Sequence, residues 1–392
     1  VLPVLQLKPG REKSVVNRHP WIFSGGLKNK PRAEEGDIVE VRSADNKVLG
    51  YGFYSEKSQI SCRMFDWSNT ASDFESADYW AGKIQRAYSL RTSLVISDQT
   101  NTFRLIHAEG DFLPGVIIDI YKDIAVAQLL IKGTERRKEL ILEGLSRIGY
   151  KKVYAKTKSS SQNIEDIETS AGWLQGQDNE VVTVKEHGLQ FEVNFVKGQK
   201  TGFFIDQREN RLMVQQLAKG KRILNAFSYT GGFSVYALAG GAREVHSLDI
   251  SADAVAMAER NAQINFPDAS HKGITRDCFE FLTELEQDYY DFIILDPPAF
   301  AKTARAVENA SRGYKQINMK AIKKIKSGGF LATFSCSQNI DKELFQKIVF
   351  GAAADAGRNV RIIRQLHQPE DHPVNIFHPE GEYLKGLLLY VE

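Results

Sequence analysis

Three cysteines in 392 residues, Cys62, Cys278 and Cys336, are too few and too widely spaced for a disulfide framework. No CxxC pair or Cys–His cluster accompanies them, so a structural zinc site is excluded and no metal is assigned. Long apolar runs are missing too, because none reaches the roughly eighteen residues a membrane-crossing helix needs. The start VLPVLQLKPG lacks the layout of a secretory leader. The expectation is a reducing, cytoplasmic setting with no membrane partner. Nor is there an excess of one charge, since 51 Lys and Arg nearly balance 49 Asp and Glu. With 42% hydrophobic and 26% charged residues, disorder is excluded for any large part of the chain.

The balance of charge hides two basic segments. Residues 1–32 hold seven basic side chains against one acid, Glu12, and residues 301–326 hold eight against Glu308. Clustered Lys and Arg displace counterions from a phosphate backbone, so the two runs together point to a nucleic-acid partner. A solvated surface is the plainer alternative for either run alone. Arg11, Lys13, Arg18, Arg312 and Lys315 are the candidate contacts.

Residues 1–71 read as a small β-barrel or sandwich, from the short runs VLQL, DIVEVRS, VLGYGFY and QISCRMF between turn signals. Within it RHPWIFSGGL sets Trp21 beside Arg18 and His19, where the indole either stacks on a base or, more commonly in such domains, packs in the core. Residues 72–180 read as an α+β unit, with helical DFESADYWAGKIQRAYSLR and ERRKELILEGLSRI around strands. Residues 181–392 open with the strand pair VVTVKEHGLQFEVNFV and then alternate strand and helix five times, as a doubly wound α/β sheet does. Ligands of such sheets bind at the carboxyl ends of the strands.

The unusual residues fall at those ends. The first strand runs into LNAFSYTGGFS, placing Asn225, Phe227, Ser228, Tyr229, Thr230 and Gly231 before a helix. This is not the GxGxxG of a dinucleotide site, which disfavours a nicotinamide dehydrogenase and suits a ligand without phosphates such as S-adenosylmethionine. Asp249 ends the second strand, seventeen residues beyond Gly232, where a carboxylate accepts from ribose hydroxyls. Asp277 ends the third, near an adenine edge, though either acid also reads as a helix N-cap. The fourth strand, FIIL, leads into Asp296-Pro297-Pro298-Ala299-Phe300, in which two prolines stiffen the backbone behind an acid that needs a polar partner. The fifth ends in FSCS. A thiol there, one strand from Asp296, is placed to attack C6 of a pyrimidine, and cations of the 301–326 run are expected to favour its ionised form. Read alone, Cys336 is a small core residue.

NAFSYTGGFSVYA, DPPAF, SRGYKQIN, TFSCS and DHPVNIFHPEGEYLKG together resemble the ribosomal RNA large subunit methyltransferase I family, over essentially the whole chain. The resemblance implies a PUA domain at HPWIFSGGL, a middle domain at EGDFLPGVIID and a class I, Rossmann-like methyltransferase domain that makes 5-methylcytosine in 23S rRNA from S-adenosylmethionine. It implies Cys336 as nucleophile, Asp296 as the group orienting cytosine through N3 or N4, and Pro297 and Phe300 beside the base. In GQKTGFFIDQRENR it makes Lys200, Thr201, Phe204, Asp206 and Gln207 candidates for contacting or positioning the cofactor; a strand-to-helix junction capped by Asp206 is the plainer reading. Asn225 departs from the acid often found there in methyltransferases. The C-terminal DHPVNIFHPEGEYLKG, whose His372 and His378 make a poor metal site, is expected to form a hairpin near the substrate mouth. Two rivals remain: amino-group methylation of adenine or cytosine, which needs no thiol, and a non-enzymatic RNA-binding protein on a decayed methyltransferase fold. A homodimer is compatible with all of these.

Overall fold

The computed structural model describes residues 2–156, 165, 167–301 and 303–392, so Lys302 of the second basic run lies outside the described residues. The chain divides into two units: residues 1–184, 193–202 and 370–381 form the first, and 185–192, 203–369 and 382–392 the second. Among the described residues no helix is long and apolar enough to cross a membrane.

The first unit contains two five-stranded sheets. One runs β1-β3-β4-β5-β2, from β1 (Val4–Gln6), β2 (Trp21–Phe23), β3 (Ile38–Arg42), β4 (Val48–Tyr54) and β5 (Ile60–Asp66). A bridge between Leu7 and Leu27 draws its two edge strands together, so the sheet curls into a small barrel. Leu5, Leu7, Ile22, Val39, Val41, Cys62 and Met64 fill it. The other sheet runs β10-β9-β8-β7-β6, from β6 (Thr102–His107), β7 (Val116–Tyr121), β8 (Ile124–Leu129), β9 (Lys152–Ala155) and β10 (Gly172–Gln175). Helix Ala77–Leu94 starts at Ser76, whose hydroxyl accepts from the Asp78 amide, and buries Trp80, Ala81, Ile84, Ala87 and Arg91 at the spacing of one helical face. Segment 370–381 belongs to this unit and does not form the hairpin expected of it. Its buried Asp371 accepts from the Arg104 amide, at 2.9 Å, and the Asp371 carbonyl accepts from Arg91. A buried carboxylate needs such partners, and they fix the segment as a strap.

The expected strand pair is present as β11 (Val181–Glu186) and β12 (Leu189–Asn194), which form a two-stranded sheet. The second unit is built on one seven-stranded sheet, β15-β14-β13-β16-β17-β19-β18. Its strands are β13 (Arg222–Ala226), β14 (Glu244–Asp249), β15 (His271–Thr275), β16 (Phe292–Leu295), β17 (Gly329–Ser335), β18 (Val360–His367) and β19 (Lys385–Val391). The first five are parallel, and β19 is inserted antiparallel between β17 and β18. Strand order reverses between β13 and β16, which places the ligand crevice of such a sheet at their carboxyl ends. Every residue of β16 is buried, as expected of a parallel strand covered by helices on both faces.

Candidate active site

The loop after β13 is wound tightly. Phe227 and Tyr229 have φ of 57° and 47°, a left-handed conformation costly for aromatic residues, and Gly231 has φ of 79°. Three amides hold it: Ser228 N–H donates to the Leu248 carbonyl, Tyr229 N–H to Asp249 Oδ2 and Gly231 N–H to the Ser228 carbonyl, each at 2.9 Å. A Cβ on Gly231 would stand 2.8 Å from the Ala258 Cβ, so only glycine lets helix Ala252–Asn265 pack against this loop. The Phe204 ring meets Tyr229 edge-on at 5.0 Å. The Thr230 carbonyl accepts from Asn261 Nδ2.

Asp249 takes the Tyr229 amide on one oxygen and the Ser251 amide on the other. Each oxygen keeps a second acceptor direction, which suits a pair of ribose hydroxyls. Asp277 caps helix Cys278–Glu284 through the Glu280 amide. Asn225 is 1% exposed, and its Nδ2 donates to Ser234 Oγ. That hydroxyl continues through Ser247 Oγ, at 2.6 Å, to His271 Nε2, at 2.8 Å. Asn225 thus faces a buried polar chain; its Oδ1, like the Ser228 hydroxyl, is buried without a hydrogen-bond partner among the described residues.

That chain has a consequence for stability. Burial pushes the His271 imidazole down from 6.5 to about 4. Between those values the unfolded chain binds the extra proton, so the stability is present above about pH 6.5 and is lost as the pH falls toward 4. Denaturant titrations at pH 7 and pH 5 should show a smaller loss for His271→Gln than for the parent.

Asp296 follows β16 directly, and its carboxylate accepts from Gln207 Nε2 at 3.1 Å. The orientation of that amide is determined by a relay. Asn210 Nδ2 donates both to the His367 carbonyl and to Gln207 Oε1, which turns the Gln207 amino group toward Asp296. The Gln207 and Asn210 side chains are buried. Asp206 beside them accepts from the Tyr383 hydroxyl at 2.6 Å. Lys200 and Thr201 belong to the first unit, where Thr201 donates to Asp119 and meets the Tyr121 hydroxyl. Pro297 is buried, and Phe300 packs on Tyr314 at 4.6 Å.

Cys336 follows β17. Its neighbours Ser335 and Ser337 are buried and tied down: Ser337 N–H donates to Ser335 Oγ, while Ser337 Oγ meets the Tyr314 hydroxyl and accepts the Ala301 amide. Lys385 pairs with Ser335 across β17 and β19, and its ammonium donates to the carbonyls of Ser337, at 2.6 Å, and Ile340, at 2.5 Å. Burial lowers the Lys385 pKa, and the charge of Cys336 opposes that shift, which places the ammonium within electrostatic reach of the thiol. One charge beside the thiol thus comes from β19; in the 301–326 run Arg312 pairs with Glu308, Lys315 with Asp355 and Lys326 with Asp291. Cys62 and Cys278 are buried with thiols pushed up by desolvation, Cys278 to about 12, whereas Cys336 is only partly buried.

In the first unit Arg11, Lys13 and Arg18 are exposed. Trp21 is half-buried, with its indole donating to Glu109 at 2.9 Å and its ring against His378 at 4.3 Å. Sequence reasoning missed Lys385 and Tyr383. Both lie in YLKG, and the signal for them was a lone lysine opening an apolar strand, KGLLLYV.

A family profile described as S-adenosylmethionine-dependent methyltransferase matches residues 150–387, and a PUA-like domain profile matches residues 5–67. The ribosomal RNA large subunit methyltransferase I of Shewanella denitrificans is 41% identical over 99% of either chain, and that of Pseudoalteromonas atlantica is 42% identical over 98%. A solved chain from Streptococcus mutans, described as a SAM-dependent methyltransferase, superposes with a TM-score of 0.83 over 99% of both chains at 22% identity. Another, described as a methyltransferase complexed with SAH, gives a TM-score of 0.85 at 23% identity over 99% of both chains. At those identities the solved chains bear on the fold alone.

Proposed function

Since the chain belongs to the ribosomal RNA large subunit methyltransferase I family and is an S-adenosylmethionine-dependent methyltransferase, we propose that it methylates carbon 5 of a cytosine in large-subunit ribosomal RNA, with Cys336 as nucleophile. The observation that carries this reading is the setting of Cys336: a partly exposed thiol at a strand end, next to the strand that presents Asp296, with the Lys385 ammonium beside it.

The residues present fit the cofactor. Asp249 has acceptor capacity at the end of β14, the buried acceptor of Asn225 and hydroxyl of Ser228 want partners at the end of β13, and Gly231 keeps the loop tight against helix Ala252–Asn265. When bound, S-adenosylmethionine supplies an electrophilic methyl group. The protein's part is to make C5 nucleophilic. The Cys336 thiolate adds to C6, and the electron pair of the C5–C6 double bond moves to C5, which forms the new carbon–carbon bond. A base then takes the C5 proton, and the electrons of that C–H bond restore the double bond and expel the thiolate. Asp296, held as an acceptor by the Gln207 amino group, suits the N4 amino donor of cytosine, whereas O4 of uracil is an acceptor and would face it unfavourably. We also propose the division into domains at 1–71, 72–180 and 181–392, supported by a five-stranded sheet in each of the first two and the seven-stranded sheet in the third, with segments 193–202 and 370–381 of the third returning to the first unit.

Asp249→Ala is expected to weaken S-adenosylmethionine binding by about 1.5–3 kcal/mol, the scale of hydrogen bonds to a charged group. Calorimetry checks this, and equal affinity in variant and parent would remove Asp249 from the site. The reaction itself is tested by incubating the protein with methyl-labelled cofactor and unmodified large-subunit rRNA, then analysing the nucleosides. The reading requires label in 5-methylcytidine; label in N4-methylcytidine or N6-methyladenosine would favour the amino-group rival.

A further inference from the structure

A cavity of about 640 Å³ opens in the first unit between the end of β5, helix Ala77–Leu94 and the turn at 110–112. Four aromatic rings, Phe65, Trp67, Tyr79 and Phe112, line it. Trp67 and Phe112 stand edge to face at 6.5 Å. Phe112 is 43% exposed and left-handed, with φ of 58°, so its ring is held toward water rather than tucked into the core.

The wall under Phe112 is rigid. The Asp111 carboxylate takes both terminal nitrogens of the buried Arg91, at 2.5 and 2.8 Å, and also the His107 amide. A Cβ on Gly110 would come within 2.1 Å of the Pro373 carbonyl oxygen, so the 370–381 strap closes on this turn with no room to spare. The Phe112 carbonyl is itself held by Lys83 Nζ at 3.1 Å, which also donates to the Phe65 carbonyl at 2.8 Å. Burial brings the Lys83 pKa down to about 8, with Asp66 opposing.

Three further features give the cavity its chemistry. The Trp67 indole N–H is buried and has no hydrogen-bond partner among the described residues, an expensive state unless something is to be bound. Arg18 and Arg86 are exposed at the cavity, and neither forms an ion pair among the described residues. Asp66 adds an acceptor; it already takes the Ser68 amide and the Tyr79 hydroxyl. Aromatic faces, an unsatisfied donor and unpaired guanidiniums around a space of this size match a nucleobase with its flanking phosphates.

We propose that this cavity binds one unpaired nucleotide of the RNA substrate, its base against Trp67 and Phe112, the indole N–H donating to a base acceptor, and the adjoining phosphates at Arg18 and Arg86. The site rests on the RNA methyltransferase reading but is separate from the residues that carry out the transfer, since every lining residue belongs to the first unit and Cys336 to the second. It is a grip on the substrate.

The test measures binding of a large-subunit rRNA transcript to the full chain and to Trp67→Ala, Arg86→Ala and, as a control, Lys47→Ala on the exposed hairpin between β3 and β4. Trp67→Ala is expected to weaken binding about ten-fold, as loss of one base–aromatic stack does. Arg86→Ala should flatten the slope of log K against log salt by about 0.7, one single-strand phosphate contact. Lys47→Ala should change neither, and S-adenosylmethionine affinity should stay the same throughout. With a 4-thiouridine-substituted transcript, cross-links should map to the peptides holding Trp67 or Phe112. A parent that binds RNA, with variants that bind equally and cross-links that map elsewhere, overturns this site alone. A parent that binds no rRNA overturns the functional reading and the site with it. Should Trp67→Ala fail to fold, Arg86→Ala, at an exposed position, decides the matter by its salt slope.

Discussion

Cys336→Ala is expected to lower turnover on large-subunit rRNA by on the order of 10⁴-fold or more, the scale on which loss of a covalent nucleophile removes activity. Binding of S-adenosylmethionine should be unchanged, because the cofactor residues lie at the ends of β13 and β14. The fold should survive as well. Ser335 and Ser337 hold the loop by their own hydrogen bonds, the Lys385 ammonium is anchored on the Ser337 and Ile340 carbonyls, and the thiol is only partly buried. A core role for the cysteine leads to the opposite outcome, since removing one sulfur from a packed site would cost some stability and leave activity near normal. Single-turnover methylation together with thermal unfolding separates the two. Near-normal methylation by the alanine variant would restore the amino-group rival.

Asp296→Asn is expected to cost about 10²–10³-fold in turnover, within the range typical of a misplaced or missing acid–base partner. The substitution keeps size and shape but puts an amide where the Gln207 amino group needs an acceptor. If the introduced amide turns its oxygen to Gln207, its amino group is presented to the cytosine N4 amine and two donors meet. If it turns the other way, two donors meet at Gln207 instead, and that buried side chain loses a partner. Gln207→Ala should produce a smaller loss of turnover, with S-adenosylmethionine affinity retained, since Gln207 acts by positioning Asp296. A Gln207→Ala variant that lost cofactor binding and kept turnover at saturating cofactor would assign Gln207 to the cofactor instead.

Much of the second unit could be read from the sequence because parallel strands announce themselves locally. β16 and β17 are apolar runs, the other three are short strands between helices, and Asp249, Asp277, Asp296 and Cys336 all stand at or just beyond strand ends. What escaped depends on pairing far along the chain. Lys385 reaches Cys336 only because β19 inserts antiparallel beside β17, and nothing local in YLKG tells which strand it will join. A hairpin is expected where the 370–381 strap lies, but Asp371 accepts from Arg91 and Arg104, more than 260 positions earlier. The basic run at 301–326 was visible as composition. Its salt bridges to Glu308, Asp355 and Asp291 were not, because Asp355 and Asp291 lie on other segments of the second unit. The cavity at Trp67 and Phe112 was illegible for the same reason, since its walls come from the end of β5, helix Ala77–Leu94 and the turn at 110–112, which are separate in the sequence.

The covalent step is tested most directly with large-subunit rRNA carrying 5-fluorocytosine at the modified position. Fluorine cannot leave C5 as a proton, so after methylation the thiolate has no route off C6 and the protein stays attached. The account predicts a denaturant-resistant protein–RNA adduct that forms with the parent only when S-adenosylmethionine is present, maps to the peptide containing Cys336 and is absent with Cys336→Ala. Methylation of ordinary rRNA by a parent protein that never forms this adduct would contradict it.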